Sequence, residues 1–208
     1  MDRDDAFPPG FFDRMDPAPD AGFYGPPRLV THIDEGAINA VGALYEELGV
    51  DRGRTLDLMS SWVSHFTVPP EELVVLGMND DELQANAAAT ERVVHDLNRT
   101  PDLPFDAQSF DHAVCCVSVD YLTRPLEVFA EVAQVLKPGG LFVCTFSNRC
   151  FPTKAIRGWL AADDATHVKI VRRYFQLSGG FDPPESDLRT DPYTDGDPLW
   201  AVWARTHR

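Results

Sequence analysis

The chain is short of basic residues and has no cluster of them. Lys and Arg number 18 against 33 Asp and Glu, for a formal net charge of −15. Nucleic acids and anionic membranes recruit clustered cations, so no nucleic-acid and no membrane partner is expected, and small molecules are the expected ligands. No apolar run reaches the roughly 18 residues of a membrane helix. The start, Met1-Asp2-Arg3-Asp4-Asp5, lacks a signal peptide's basic and apolar regions, so a cytoplasmic location is expected. Cys115, Cys116, Cys144 and Cys150 form no CxxC pair. Cys115 and Cys116 would face opposite sides of a strand, so all four are read as reduced thiols packed as small apolar groups. The six His are scattered with no HxxxH or HExxH spacing, and no metal site is expected. The absence of a P-loop, a GxSxG elbow and a GxGxxG fingerprint argues against NTPase, hydrolase and dehydrogenase chemistry.

What is present is a globular composition, 44% apolar and 25% charged over 208 residues, enough for one α/β domain with a real core. Residues 1–22 are rich in Pro, Asp, Gly and Phe. They read as a flexible tail, or as a strap whose Phe7, Phe11 and Phe12 fold over something. Residues 23–208 read as a single domain. Ile33, Ala37, Ile38, Val41, Leu44, Tyr45 and Leu48 recur at helical spacing and predict a helix over 32–48, closed by Gly49. Strands and helices then alternate. Strands are predicted over 54–58, 73–77, 92–96, 111–117, 141–146 and 199–204, and helices over 80–90, 125–136, 154–160 and 165–177. This alternation predicts a mostly parallel sheet with helices on both faces.

Pro104-Phe105-Asp106-Ala107-Gln108-Ser109-Phe110-Asp111, then an apolar strand, then Leu136-Lys137-Pro138-Gly139-Gly140-Leu141 form a specific order and spacing. It resembles the class I S-adenosylmethionine (SAM)-dependent methyltransferases of small-molecule type. Ser178-Gly179-Gly180-Phe181 extends the resemblance over roughly residues 50–205. The resemblance implies a Rossmann-like α/β fold, with a seven-stranded sheet, helices on both faces and the last strand antiparallel. It also implies SAM as cofactor, bound at the carboxyl ends of strands 1 to 4, where open α/β sheets bind ligands. Asp57 matches the acid that ends strand 1 and serves the methionine ammonium; a turn-capping acid is the alternative. Met78 and Asn79 match the end of strand 2, where Asn79 would accept from ribose or else cap a helix. Asp96 and Leu97 match the adenine-binding end of strand 3; a turn-forming Asp is the alternative. Val117, at the end of strand 4, completes the implied set with Met59, Ser60 and Ser61.

One segment departs from the family. Asp57-Leu58-Met59-Ser60-Ser61-Trp62-Val63 stands where the usual form is acid-x-G-x-G-x-G. A non-glycine at positive φ is disfavoured, so a loop copying the family path would be strained. A different path is expected, with the Ser60 and Ser61 hydroxyls replacing backbone contacts.

Candidates for chemistry come from the strand-end loops. After strand 4, Asp120 or Tyr121 would orient or deprotonate a nucleophile, or else pack. After strand 5, Asn148, Arg149 and Lys154 lie in a polar loop; Arg149 and Lys154 would receive an anionic substrate group or pair with local acids. Tyr24, Arg28 and His32 lie in a segment that lids the site in the family, with His32 as a candidate base. His65 is a further candidate base, or structural. The expected activity is methyl transfer to a small molecule. The alternative is a catalytically silent methyltransferase-fold protein that binds a partner. The sequence leaves the oligomeric state and the acceptor open.

Overall fold

The structure is a computed structural model that describes residues 6–191, 193 and 195–207. Seven strands form one sheet in the order β3-β2-β1-β4-β5-β7-β6. They are β1 (Arg54–Leu58), β2 (Glu72–Gly77), β3 (Glu91–Val94), β4 (Phe110–Cys116), β5 (Leu136–Phe146), β6 (Glu185–Leu188) and β7 (Trp200–Arg205). The strands from β3 to β5 pair in parallel. β7 runs antiparallel to both β5 and β6. β1, β2 and the last half of β5 are continuous buried runs, as expected of strands covered on both faces.

The helices are α1 (Asp20–Tyr24), α2 (Glu35–Leu48), α3 (Asp80–Ala85), α4 (Pro125–Val135), α5 (Arg157–Leu160) and α6 (Asp164–Ser178). Alternate strand residues point to opposite faces, which builds two main cores. Val41, Leu44 and Tyr45 of α2 pack with Val114, Val143, Ala201 and Trp203. On the other face, Val128, Phe129 and Val132 of α4 and Val171 and Phe175 of α6 pack with Ala113, Phe142 and Val202. The Asp34 side chain caps α2 by accepting from Ala37 N–H at 2.8 Å, and Gly49 closes the helix at φ +71°. Among the described residues no helix is long and apolar enough to cross a membrane.

Two helices are shorter than the spacing predicts, for local reasons. α3 stops at Ala85 because Asn86 turns out of the helix, and its amide donates to Ser61 O at 3.0 Å and Ser64 Oγ at 2.8 Å. α5 begins at Arg157 rather than near 154, because Lys154 is drawn into an ion network. β6 was not read as a strand: Glu185, Ser186 and Asp187 are polar and exposed, and the strand sits at the sheet edge.

The sequence leaves residues 1–22 open between a flexible tail and a strap; the described part, 6–22, is a strap held against the domain. Phe7, Phe11 and Phe12 form an aromatic cluster, and Phe7 and Phe12 reach the buried Tyr174. The Phe11 ring lies so close over Gly158 that a Cβ there would stand 2.2 Å from it. Backbone bonds join Arg157 N–H to Asp13 O at 2.7 Å and Gly158 N–H to Phe11 O at 2.9 Å. Further along, Asp20 lies 2.6 Å from the Arg14 guanidinium and 3.2 Å from Lys154 Nζ. Lys154 is fully buried and also pairs with Asp16 at 2.9 Å.

Removing one partner of a buried ion network leaves an uncompensated charge. Lys154→Met should therefore destabilise the protein by about 3–5 kcal/mol in urea unfolding. Arg149→Met, which breaks the half-exposed pair with Asp197, should cost no more than about 1 kcal/mol. Equal effects would contradict the structural role given to Lys154.

Candidate functional site

The site begins at the end of β1. Asp57 is 3% exposed, and its Oδ2 accepts from Ser60 Oγ at 2.6 Å. Burial pushes its pKa up to about 6, although the Ser60 and Ser64 hydroxyls oppose the shift. The chain then turns through Met59 at φ +55°. The different path expected for this loop is therefore not taken at Met59, which adopts the left-handed conformation directly. The turn is fixed by Ser60 N–H donating to Leu76 O at 2.8 Å. Close approach of this loop to β2 depends on Gly77, where a Cβ would stand 2.2 Å from Ser60 O. A glycine is thus needed, but on β2 rather than in the loop.

Among the described residues, four non-glycines have positive φ: Met59, His65, Gln108 and Val117. All but Gln108 line one cavity. Val117, at φ +44°, is β-branched and the most strained, and its N–H is held by Thr145 O at 2.8 Å. Strain of roughly 1–3 kcal/mol per residue, gathered on one cavity, marks a site the surrounding sheet holds in place.

That cavity, about 290 Å³, opens at the carboxyl ends of β1 to β4. The segment from Asp20 to His32 roofs it. Asn79 Nδ2 donates to Tyr24 O and Gly25 O, both at 2.8 Å, and Arg28 N–H donates to Glu82 Oε1 at 2.7 Å. Trp62 Nε1 donates to Val30 O at 3.0 Å, and Asn98 Nδ2 to Asp20 Oδ2 at 2.8 Å.

Most residues singled out from the sequence converge here. Asp57, Met59, Ser60, Ser61, Met78, Asn79, Asp96, Leu97 and Val117 line the cavity with Tyr24, Arg28, His32, His65, Tyr121 and Arg149. Two do not. Asn148 is exposed outside it, its Oδ1 accepting from Ser147 Oγ at 3.4 Å. Asp120 lies behind the wall, 3% exposed, with Oδ2 lacking any partner among the described residues. Burial pushes its pKa up to about 8, so it is mostly protonated at neutral pH and off the cavity. Both placements correct the sequence reading. Lys154, read as an anion receiver or as a partner of local acids, takes the second role with Asp16 and Asp20.

Individual roles are also sharpened. Asn79 Oδ1 caps α3 by accepting from Glu82 N–H at 3.0 Å. Asp96 Oδ1 accepts from Asn98 and Arg99 N–H at 3.1 and 3.2 Å, which builds the turn after β3. Burial lowers the pKa of His32 and His65, which keeps both rings neutral near pH 7. Tyr121 Oη accepts from Phe151 N–H at 2.8 Å, whereas the buried Tyr24 Oη has no partner among the described residues. Burial raises both phenols, so they stay protonated. Asp20, Glu82 and Asn98 also line the cavity and were missed. Asp20 sat in the stretch read as tail or strap, and the other two carried no motif. Among the described residues no group of three or more His, Cys, Asp or Glu is arranged to hold a metal ion.

Asp57 and Asp120 have folded pKa values above their usual 3.8. These two carboxyls therefore bind more protons folded than unfolded, and their contribution to stability should fall as pH rises from about 4 to 8, opposed below about pH 6.5 by the histidines that burial keeps neutral. Asp120 alone carries the upper part. Asp120→Asn should remove at least about 1 kcal/mol of the decline between pH 6 and 8, or about 2–4 °C in Tm. An unchanged thermal profile in that variant would contradict the buried, titrating Asp120.

Comparison with known proteins fits this geometry. Residues 48–144 match the family model described as a methyltransferase domain. The chain is 26% identical over 150 residues to the biotin biosynthesis bifunctional protein BioHC of Teredinibacter turnerae, covering 68% of this chain and 26% of that protein. It is 26% identical over 131 residues to a malonyl-[acyl-carrier protein] O-methyltransferase of a Marinomonas species, covering 59% of this chain and 44% of the relative. The chain thus spans less than half the length of these curated relatives. Among solved structures, a SAM-dependent methyltransferase from Mesorhizobium loti superposes with a TM-score of 0.53 at 21% identity, covering 78% of this chain and 95% of that one. The matched stretch, the strand order and the reversed seventh strand together give the chain the fold of the SAM-dependent methyltransferases, with residues 48–144 similar to the methyltransferase-domain family.

Proposed function

We propose that the chain is a SAM-dependent methyltransferase acting on a small molecule. The observation that carries this reading is the convergence of Asp57, Asp96 and the strained Met59 and Val117 backbone on one roofed cavity at the strand ends. Its residues fit the cofactor. Asp57 is a buried carboxylate placed where an ammonium would favour its ionised form. Asp96 uses Oδ1 for its turn, which leaves Oδ2 for an adenine amino group. Gly77 keeps the floor open where any side chain would collide.

SAM supplies a methyl group on a good leaving group, so the protein's task is alignment and exclusion of water more than acid–base work. The roof from Asp20 to His32 excludes water, and Tyr24, Tyr121 and Phe151 form the wall at the acceptor end. His32 and His65, held neutral by burial, are the groups able to take a proton from an acceptor that must lose one.

A second reading, a methyltransferase-fold protein without activity, is favoured by Asn79. Its carbonyl caps α3 and its amide gives both hydrogens to the roof, which leaves only one uncharged lone pair for ribose. Titration calorimetry with S-adenosylhomocysteine separates the two. The enzyme reading expects binding near one per chain; no heat and no thermal shift at millimolar ligand would favour the silent reading.

Protonated Asp57 cannot pair with an ammonium. Affinity for S-adenosylhomocysteine should therefore rise about tenfold per pH unit as pH climbs toward 6, then level off, with proton release on binding at low pH. Asp57→Asn should bind weakly and without that pH dependence. Gly77→Ala, which drives a Cβ into Ser60 O, should weaken binding by at least about tenfold while the protein still folds. Native affinity in Gly77→Ala would show that the loop geometry does not shape the site.

A further inference from the structure

The charges of the cavity are unevenly divided. Its acids Asp57, Glu82 and Asp96 lie on or just after β1, β2 and β3, and a fourth, Asp20, lies in the roof already paired with Arg14 and Lys154, whereas Arg28 and Arg149 lie in the roof and after β5. Arg149 gives its Nε to Asp197 at 2.8 Å. Arg28 has no comparable partner. Among the described residues, no carboxylate lies within ion-pair distance of its guanidinium. Glu82 accepts the Arg28 backbone N–H instead. The guanidinium donates to Phe23 O at 2.8 Å and distantly to Pro26 O at 3.5 Å. It lies 4.6 Å from the Phe23 ring centroid and 5.6 Å from that of Phe151. A guanidinium has five N–H donors, so donors remain for a ligand.

The Tyr24 side chain lines the same space, with its hydroxyl sealed from solvent. Tyr24 Oη is buried without a partner, and burial keeps it protonated. A guanidinium with free donors and no counter-ion is a place where an anionic group would be received. The rest of the wall at this end is Tyr121 and Phe151, whose rings lie 5.9 Å apart. That surface suits an apolar or aromatic body.

We propose that the acceptor bound at this site is a small carboxylate with an apolar or aromatic body, its carboxylate received by the Arg28 guanidinium. This names the substrate class of the methyltransferase reading and rests on it. The planar fork of Arg pairs with a carboxylate through two parallel hydrogen bonds. A phosphate dianion fits less well. It would bring a second negative charge beside Asp57, Glu82 and Asp96, and no second unpaired Lys or Arg lines the cavity among the described residues.

The test uses phenylacetate and its neutral isostere phenylacetamide, titrated calorimetrically into the full chain saturated with S-adenosylhomocysteine. Phenylacetate should bind at least about tenfold tighter than the amide, with a preference that shrinks as salt is added. Arg28→Gln should abolish the preference, and Arg28→Lys should keep part of it, with circular dichroism showing that both are folded. Equal affinities for acid and amide, binding of neither, or a preference that survives in Arg28→Gln would overturn the proposal. S-adenosylhomocysteine is titrated first, on its own. If it fails to bind, the methyltransferase reading falls, and the acid-to-amide comparison on the ligand-free chain still decides what Arg28 receives.

Discussion

The cavity depends on one buried carboxylate, Asp20. It takes charge from Arg14 and Lys154 and a hydrogen bond from the Asn98 amide. Asn98 in turn donates to Tyr121 O and accepts from Thr123 N–H. A single acid therefore joins the N-terminal strap, the segment before α5, the turn after β3 and the loop after β4. Burying ions is expensive unless each finds its counter-charge. Here two cations meet Asp16 and Asp20, so the knot is neutral and persists in an apolar setting. The strap must be ordered for that neutrality to hold, and an ordered strap leads directly into the roof of the cavity.

The second constraint is backbone strain. Met59, His65 and Val117 hold positive φ around one ligand-sized space. Nothing local favours this, since none is a glycine and Val117 is β-branched. The sheet imposes it. β1 lies between β2 and β4, and β4 between β1 and β5, so the strand ends cannot shift to relax the turns. Ser60 N–H on Leu76 O and Val117 N–H on Thr145 O lock two of them. The family's loop glycines are absent, but the need for one has moved to Gly77 at the facing strand end.

Charge is arranged with the same economy. The cavity keeps Asp57, Glu82 and Asp96 toward the β1 to β3 ends, while in the roof Asp20 is neutralised by Arg14 and Lys154 and the Arg28 guanidinium has no carboxylate partner among the described residues. Burial holds the two nearby histidines neutral and the two tyrosines protonated. The interior thus offers hydrogen-bond donors and a single cation on the acceptor side, inside a protein of net charge −15.

Sequence alone determined the elements whose signal is local. β1 has the predicted bounds, because Arg54 to Leu58 is a short buried run ended by turn residues. The Leu136-Lys137-Pro138-Gly139-Gly140 run marked the end of α4, but β5 begins at Leu136 and runs through it rather than starting at 141, with Gly139 at φ +78°. The strand-end loops that build the site were legible for the same reason. What the sequence did not contain was which way each loop residue faces. Tyr121 lines the cavity while Asp120 is sealed behind it, and Arg149 lines it while Asn148 points out. Nor did it contain Asp20, whose amide partner is 78 residues away. Facing and long-range pairing are settled only when the sheet closes and the strap docks, because both depend on which buried charges and hydrogen bonds find partners in three dimensions.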